Sequence, residues 1–251
     1  MKPIRLFSSD LDGTLAGNRD ASKRFTESWA SLDDASRPLL VYNSGRLVDD
    51  ILAFTEEEGL PRADIVIGGV GTMLASPIHA DLSEHYGETL GANYDADRIA
   101  AIMTGLPGIK RQPERYQHAR KSSWFLHDAS TVEVEALERR LVDAGMAVKL
   151  VYSSNRDLDV LPGNADKGQA LLWLCDRLGI GLDEVLVAGD TGNDRAMFEL
   201  DHVRGVIPAN GHAELLKLTE GNPRICLADR PEADGVLQGL RHWGVLPSRS
   251  G

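Results

Sequence analysis

The sequence predicts an α/β protein with a doubly wound, Rossmann-like parallel sheet into which a smaller α+β domain is inserted. Three observations support this prediction. Short apolar runs alternate with helical patterns in the first third of the chain, the same rhythm returns after residue 162, and the stretch between them has a different pattern. Continuous apolar strands separated by helices are typical of a parallel sheet that is covered on both faces.

The core elements follow from these runs. We predict a strand where apolar residues are continuous and a helix where they recur on one face. In chain order the predictions are strand Ile4–Phe7, helix Ser22–Leu32, strand Leu39–Tyr42, helix Val48–Glu58, strand Asp64–Ile67, helix Lys167–Leu178, strand Val185–Ala188, helix Asp194–Leu200, strand Val206–Ile207, helix Ala213–Leu218, strand Ile225–Leu227 and helix Gly235–Trp243.

The stretch 82–161 predicts the inserted domain, so the core comprises residues 1–81 and 162–251. Its strands and helices alternate less regularly, which favours an antiparallel sheet. The predicted elements are helix Asp95–Met103, strand Lys121–Leu126, helix Val132–Ala144, strand Val148–Tyr152 and strand Leu158–Leu161.

Composition narrows the class of protein. The chain has 251 residues, 42% of them hydrophobic and 26% charged, and a formal net charge of −11. These fractions exclude a disordered or fibrous protein, and the acidic balance makes nucleic acid and anionic membranes unsuitable partners. No apolar run approaches the length of a membrane span, and the two cysteines cannot form a disulfide framework. We therefore expect a cytoplasmic protein with a small-molecule partner and no obligate protein partner.

Two segments place carboxylates after predicted strands. Asp10 and Asp12 follow the first strand, and residues two apart in an extended segment point to the same side while Leu11 packs inward. Asp190 and Asp194 bracket a glycine-containing turn after another strand. Oxygen ligands without nitrogen or sulfur favour Mg²⁺. For each segment taken alone, the alternative is a turn that only ends a strand or caps a helix.

Two further segments carry groups that suit a phosphate. Ser44, Gly45 and Arg46 follow the second strand, where a hydroxyl and a close backbone approach can meet a phosphate oxygen. Lys167 begins a helix, where its charge opposes the helix dipole unless it serves an anion. The alternatives are a Ser44 that caps the next helix and an exposed Lys167.

The order of these four segments connects them. Each one falls at the carboxyl end of a predicted core strand or at a helix start that faces the same crevice, where open α/β sheets bind ligands. In this order the segments resemble the four motifs of the haloacid dehalogenase-like (HAD) phosphohydrolases. The insert lies between the second and third motifs, as in the members of that family with large α/β caps.

A narrower resemblance covers nearly the whole chain. The stretch from Tyr152 to Pro162 with Lys167-Gly168, the segment Lys121 to Trp124 and the stretch from Gly189 to Glu199 look like those of sucrose-phosphate phosphatases. The same group includes mannosylfructose-phosphate phosphatases, which the segment from Gly68 to Leu74 resembles more closely. Sucrose phosphatases usually carry an acid where Met73 stands.

This resemblance implies a Mg²⁺-dependent phosphatase that hydrolyses the 6-phosphate of a fructose-containing disaccharide phosphate, either mannosylfructose 6-phosphate or sucrose 6-phosphate. Asp10 would form an aspartyl-phosphate, and Asp12 would act as general acid and then as general base. The implied metal residues are Asp10, Asp12, Asp190 and Asp194, and the implied phosphate-binding residues are Ser44 and Lys167.

The substrate contacts are expected from both domains. By the same resemblance Gly45, Arg46 and Asn193 would lie beside the sugar. In the cap, the residues with donors and acceptors suited to sugar hydroxyls are Gln117, His118, Lys121, Ser153 and Asp157. Three alternatives stay open: a HAD phosphatase for another sugar phosphate, a phosphomutase that uses the same intermediate, and a phosphoryl-accepting signalling domain.

Overall fold

The structure is a computed structural model that describes residues 2–91, 93–217 and 221–248. No helix in these ranges is long and apolar enough to cross a membrane. The strands are β1 Leu6–Ser9, β2 Leu39–Asn43, β3 Ile65–Gly68, β4 Met73–Ala75, β5 Ile109–Arg111, β6 Ser122–Leu126, β7 Val148–Ser153, β8 Asp157–Pro162, β9 Val185–Ala188, β10 Arg204–Ile207 and β11 Ile225–Leu227. The α-helices are α1 Arg19–Ala30, α2 Val48–Glu57, α3 Ala80–Thr89, α4 Ala96–Thr104, α5 Thr131–Asp143, α6 Lys167–Leu178, α7 Arg195–Phe198, α8 Ala213–Leu216 and α9 Glu232–His242.

The larger sheet confirms the predicted doubly wound core. Among the described residues its strand order is β11-β10-β9-β1-β2-β3-β4, and every neighbouring pair is parallel except β3 with β4. Successive side chains of a strand point to opposite faces. Leu6 accordingly packs into one buried cluster and Phe7 into the other, so apolar layers cover both faces of the sheet. The order reverses beside β1, and a crevice opens there at the carboxyl ends of β1 and β9.

The smaller sheet, built from residues of the predicted insert, is antiparallel as the sequence predicts. Its order is β5-β6-β8-β7, and all its pairs are antiparallel. Ile99 and Met103 of α4 and Leu141 of α5 are buried with Trp124 of β6 in a third apolar cluster. This cluster gives the insert a core of its own.

Some elements differ from the predictions. Strand β1 begins at Leu6 and not at Ile4, and α1 begins earlier than predicted because the Asn18 side chain accepts hydrogen bonds from two backbone amides of its first turn. The predicted end of the helix Ala213–Leu218 lies outside the described residues. Elements β4, α3 and β5 were not predicted, because they are short or weakly patterned.

Helix α3 bears on the boundary of the insert. Leu82 and Tyr86 belong to a buried cluster of the larger sheet, although both lie inside the predicted insert 82–161. The division of the chain at these residues stays a prediction.

Candidate active site

A cavity of about 550 Å³ lies between the carboxyl ends of the larger sheet and the smaller sheet. Both parts of the chain contribute to its lining, which consists of Asp10, Asp12, Ser44, Gly45, Arg46, Gln112, Tyr116, Lys121, Phe125, Ser153, Ser154, Arg156, Asp157, Asp159, Asp190, Thr191, Asn193 and His212.

Two buried carboxylates of this lining, those of Asp10 and Asp190, meet a third, that of Asp194, which lies outside the lining. Asp10, Asp190 and Asp194 each offer an oxygen, and these oxygens lie within 4.8 Å of one another. The parallel pairing of β1 with β9 brings them together, and the Asp10 amide donates to the carbonyl of Ala188 over 3.0 Å. A Cβ at Gly189 would lie 2.5 Å from the Asp194 Cβ, so this close approach requires glycine.

Burial and mutual repulsion make these carboxylates costly to ionise without a cation. Burial raises the pKa of Asp10 to about 7, with a further increase from Asp194 and a partly offsetting decrease from Lys167. Burial likewise raises the pKa of Asp190 to about 8, and the neighbouring Asp10 and Asp194 raise it further. A divalent cation would relieve both effects, and an all-oxygen donor set suits a hard ion. The residues therefore fit a divalent metal.

Lys167 is a positive charge of the protein itself that partly compensates these carboxylates. Its side chain is fully buried, and its Nζ donates to Oδ1 of Asp10 and to Oδ1 of Asp194, each over 2.7 Å. Burial lowers the pKa of Lys167, but the two carboxylates raise it more strongly, and the net shift is upward. Helix α6 can bring the lysine this close because Gly168 packs against the Ala196 carbonyl, which a Cβ would meet at 2.2 Å. The alternative of an exposed lysine is therefore wrong.

Asp194 organises the turn that carries Asp190. Its Oδ2 accepts the backbone amides of Asp190 and Thr191, each over 3.0 Å, while its Oδ1 accepts from Lys167. The Asp190 Oδ1 in turn accepts from the Thr14 hydroxyl over 3.1 Å. Since both Asp194 oxygens already serve the protein, this arrangement suits a supporting role for Asp194 more than direct ligation.

Asp12 lies at the exposed side of the same site. Both of its oxygens accept hydrogen bonds from Arg46, with Nε–Oδ2 and Nη2–Oδ1 distances of 2.8 Å. Gly13 follows in a left-handed conformation with φ +77°, and a Cβ there would lie 2.3 Å from Oδ2 of Asp190. Glycine thus permits the close contact between the first and fourth motifs. Leu11 is fully buried, as the alternation predicted.

Ser44 sits beside the floor of the cavity. It is buried, its amide donates to the Ile67 carbonyl over 2.9 Å, and its hydroxyl oxygen accepts the Arg46 amide over 3.2 Å. The residue that caps α2 is Leu47, so the alternative of Ser44 as the helix cap is wrong. The Ser44 hydroxyl therefore lies at the cavity with its proton available to an anion.

The cap side of the cavity carries a buried ion pair. Lys121 pairs with Asp159 over 2.8 Å, and the Ser123 hydroxyl donates to the same carboxylate over 2.6 Å. Ser153 and Asp157, both predicted substrate contacts, lie in the lining as well. Asp159 was not predicted. Strand alternation could have identified it, because residues two apart in β8 share a face.

The structure does not bring every predicted residue to the cavity. Gln117 and His118 lie outside its lining, and so do Lys167 and Asp194, which are buried behind Asp10. The side-chain amide of Gln117 is occupied within the cap. Its nitrogen donates to the backbone carbonyls of Gln112 and Ser123, and its oxygen accepts a hydrogen bond from the backbone N–H of Ser123. Contact of Gln117 and His118 with substrate stays a prediction. Met73, on which the choice of sugar relied, packs against a core cluster outside the lining.

Several lining residues were missed by sequence reasoning. They are Gln112, Tyr116, Phe125, Ser154, Arg156, Thr191 and His212. Ser154 follows the end of β7 and His212 precedes α8, so a search of every strand end and helix start could have found these two.

Comparison with known proteins gives consistent similarities. A family model of sucrose-6F-phosphate phosphohydrolases matches residues 3–244. The mannosylfructose-phosphate phosphatase of Agrobacterium fabrum is 53% identical over 98% of this chain and 100% of its own length. A probable sucrose-phosphatase 2 of Arabidopsis thaliana is 31% identical over 99% of this chain, which spans only 61% of the plant protein.

A solved structure has the same architecture throughout. The sucrose-phosphatase of Synechocystis, determined in complex with sucrose and phosphate, superimposes with a TM-score of 0.87 at 29% sequence identity. The match covers 98% of this chain and 100% of the other.

Proposed function

We propose a function from the premise that this chain belongs to the sucrose-6F-phosphate phosphohydrolase family of HAD-fold phosphatases. The protein would be a Mg²⁺-dependent enzyme. It would hydrolyse the 6-phosphate of a fructose-containing disaccharide phosphate through an aspartyl-phosphate. One observation carries the proposal: Asp10 and Asp190 line the cavity together with Asp12 and the cap, and the buried Asp194 and Lys167 converge on them.

In the first half-reaction, the Asp10 carboxylate attacks phosphorus while Asp12 gives a proton to the departing sugar oxygen. An ionised carboxylate is a competent nucleophile, whereas an alkoxide leaving group needs a proton. In the second half-reaction, Asp12 takes a proton from the water that attacks the aspartyl-phosphate. Lys167 and Ser44 bind the transferring phosphoryl oxygens, because positioning and charge stabilisation dominate such reactions.

The metal site would comprise Asp10, the Asp12 carbonyl and Asp190, with Asp194 in support. Mg²⁺, when bound there, would neutralise negative charge between the nucleophile and the phosphate. The donor set supports Mg²⁺ over zinc, because it contains oxygen and no sulfur or nitrogen. We expect EDTA to abolish turnover and Mg²⁺, but not Zn²⁺, to restore it; full activity of the metal-free protein would contradict this assignment.

The predicted insert, residues 82–161, would act as a cap that excludes water and binds the sugar. The residues proposed to contact the sugar from the cap side are Lys121, Ser153 and Asp157, and those from the core side are Gly45, Arg46 and Asn193. Identity of 53% with a mannosylfructose-phosphate phosphatase supports mannosylfructose 6-phosphate as the disaccharide phosphate. A cytoplasmic location stays a prediction from composition.

A phosphate-release assay with four substrates under matched Mg²⁺ tests the proposal. The substrates are mannosylfructose 6-phosphate, sucrose 6-phosphate, fructose 6-phosphate and glucose 6-phosphate. A site that hydrogen-bonds particular hydroxyls rejects analogues that lack them by factors of about 10⁴ to 10⁵. We expect the disaccharide phosphates to be cleaved much faster than the monosaccharide phosphates, with mannosylfructose 6-phosphate the best. An isomeric sugar phosphate in place of free phosphate would indicate a mutase.

Two substitutions test the assigned roles. Asp10→Asn should remove turnover, because the amide is no nucleophile. Asp12→Asn should slow turnover by a factor of about 10² to 10⁴, the usual contribution of general acid–base catalysis. Circular dichroism checks that both variants are folded, and a near-normal rate in either one would contradict the mechanism.

A further inference from the structure

Three residues spaced four apart form a network beside the cavity. Arg46 precedes α2, and Asp50 and Phe54 lie on that helix. The Arg46 Nη1 donates to Oδ2 of Asp50 over 2.9 Å, and its guanidinium carbon lies 3.8 Å from the centroid of the Phe54 ring. Asp50 and Phe54 lie outside the cavity lining, so any effect they have on the reaction passes through Arg46.

The network determines which nitrogens Arg46 presents to the site. Because Asp50 holds Nη1 and Phe54 supports the flat face, Nε and Nη2 remain as a planar pair of donors. These two nitrogens are the ones that bind the Asp12 carboxylate, each over 2.8 Å. A guanidinium pairs with both oxygens of a carboxylate only when its plane is correctly oriented. Asp50 therefore orients the contact between Arg46 and Asp12.

This contact holds both side-chain oxygens of Asp12. The side chain is about half exposed, and among the described residues its hydrogen bonds come from Arg46. Both oxygens accept an N–H from one guanidinium, the bidentate pairing that arginine forms with a carboxylate. In the proposed reaction Asp12 is a carboxylate after it has protonated the sugar oxygen and before it accepts a proton from water.

We infer that Asp50 is a positioning residue that, through Arg46, holds the Asp12 carboxylate in place for the second half-reaction. The inference rests on the proposed function. In that step the water oxygen bonds to phosphorus, the bond from phosphorus to the Asp10 oxygen breaks, and its electron pair returns to the Asp10 carboxylate. One water proton passes to Asp12, and inorganic phosphate leaves. Asp50 and Phe54 keep Asp12 within reach of that proton.

Single-turnover kinetics with p-nitrophenyl phosphate separate the two half-reactions. With enzyme in excess, p-nitrophenol release reports formation of the aspartyl-phosphate, and phosphate release reports its hydrolysis. We expect Asp50→Asn to slow phosphate release about 10-fold, which is a part of the rate factor of about 10² to 10⁴ that a general base contributes. Release of p-nitrophenol should stay within about twofold of the wild-type rate. Asp50→Glu keeps a carboxylate at the same helical spacing and should restore most of the rate.

Asp49→Asn is the matched control. It removes the same charge from the first turn of α2, but Asp49 is exposed and has no part in the network, so both phases should match wild type. The melting temperature of Asp50→Asn should also match wild type, since exposed ion pairs stabilise little. In an Asp12→Asn background, Asp50→Asn should have no further effect on phosphate release.

The outcomes separate the inference from the proposed function. Unchanged phosphate release in Asp50→Asn, an equal fall in both phases, or an equal loss in Asp49→Asn would overturn the inference while leaving the phosphatase intact. A wild-type protein that releases phosphate from neither p-nitrophenyl phosphate nor a disaccharide phosphate would overturn the proposed function, and the inference with it.

Discussion

Replacing Lys167 with methionine removes a positive charge that lies between two buried carboxylates. The lysine is completely buried, and its Nζ is 2.7 Å from oxygens of both Asp10 and Asp194. Methionine fills a similar volume, so the substitution changes charge more than packing. Without the lysine, the carboxylates of the site face one another uncompensated in the metal-free protein.

The expected loss of stability in Lys167→Met follows from the burial of the ion pairs. Removing one partner of a buried ion pair typically costs about 3–5 kcal/mol, because an uncompensated charge stays inside the protein. For a chain of this size, 1 kcal/mol corresponds to about 2–4 °C, so we expect the melting temperature to fall by about 6–20 °C. Lys23→Met is the control: Lys23 is exposed and lies 3.9 Å from Glu27, a surface pair worth about 0–1 kcal/mol.

Urea unfolding of both variants in EDTA, followed by circular dichroism, measures the difference. The double variant Lys167→Met/Asp194→Asn should be more stable than Lys167→Met, because it removes one of the uncompensated carboxylates. A loss below about 1 kcal/mol for Lys167→Met, the level of a surface pair, would refute the reasoning. So would a double variant that is less stable than Lys167→Met.

Two further predictions concern other parts of the core. Gly71→Ala should be strongly destabilising, because Gly71 has φ +85° and a Cβ would lie 2.2 Å from the Asp166 carbonyl oxygen. Gly108→Ala serves as the comparison, because Gly108 has φ +77° and a Cβ there would have nothing within 4 Å. It should lower the free energy of unfolding only by the left-handed backbone penalty of about 1–2 kcal/mol. Comparable unfolding midpoints for the two variants would contradict the clash at Gly71. A thiol reagent should leave Cys175 unmodified in the native protein, because burial raises its pKa to about 12 and the thiolate is the reactive form. At most Cys226, which is half-buried, should react before denaturation, and intact-mass spectrometry of native and unfolded samples checks this.

Sequence alone determined the fold class and predicted which residues after the strands lie close together at the cavity. Parallel strands gather their carboxyl ends at one edge of a sheet, so a polar segment after each strand must lie near the others whatever the details of packing. Asp10, Ser44 and Asp190 could therefore be assigned to one site from their position after predicted strands. The antiparallel insert was predictable for a similar reason, since its strand patterning is local.

Tertiary structure decided where individual side chains point. The sequence could not show that Lys167 is buried, because its partners Asp10 and Asp194 lie 157 and 27 residues away along the chain. Nor could it show that the side-chain amide of Gln117 bonds to backbone groups of the cap and not to the cavity. Strand ends are set by local periodicity and sheet topology. The hydrogen-bond partner of a polar side chain depends instead on packing, because packing decides which distant backbone and side-chain groups come within hydrogen-bond range.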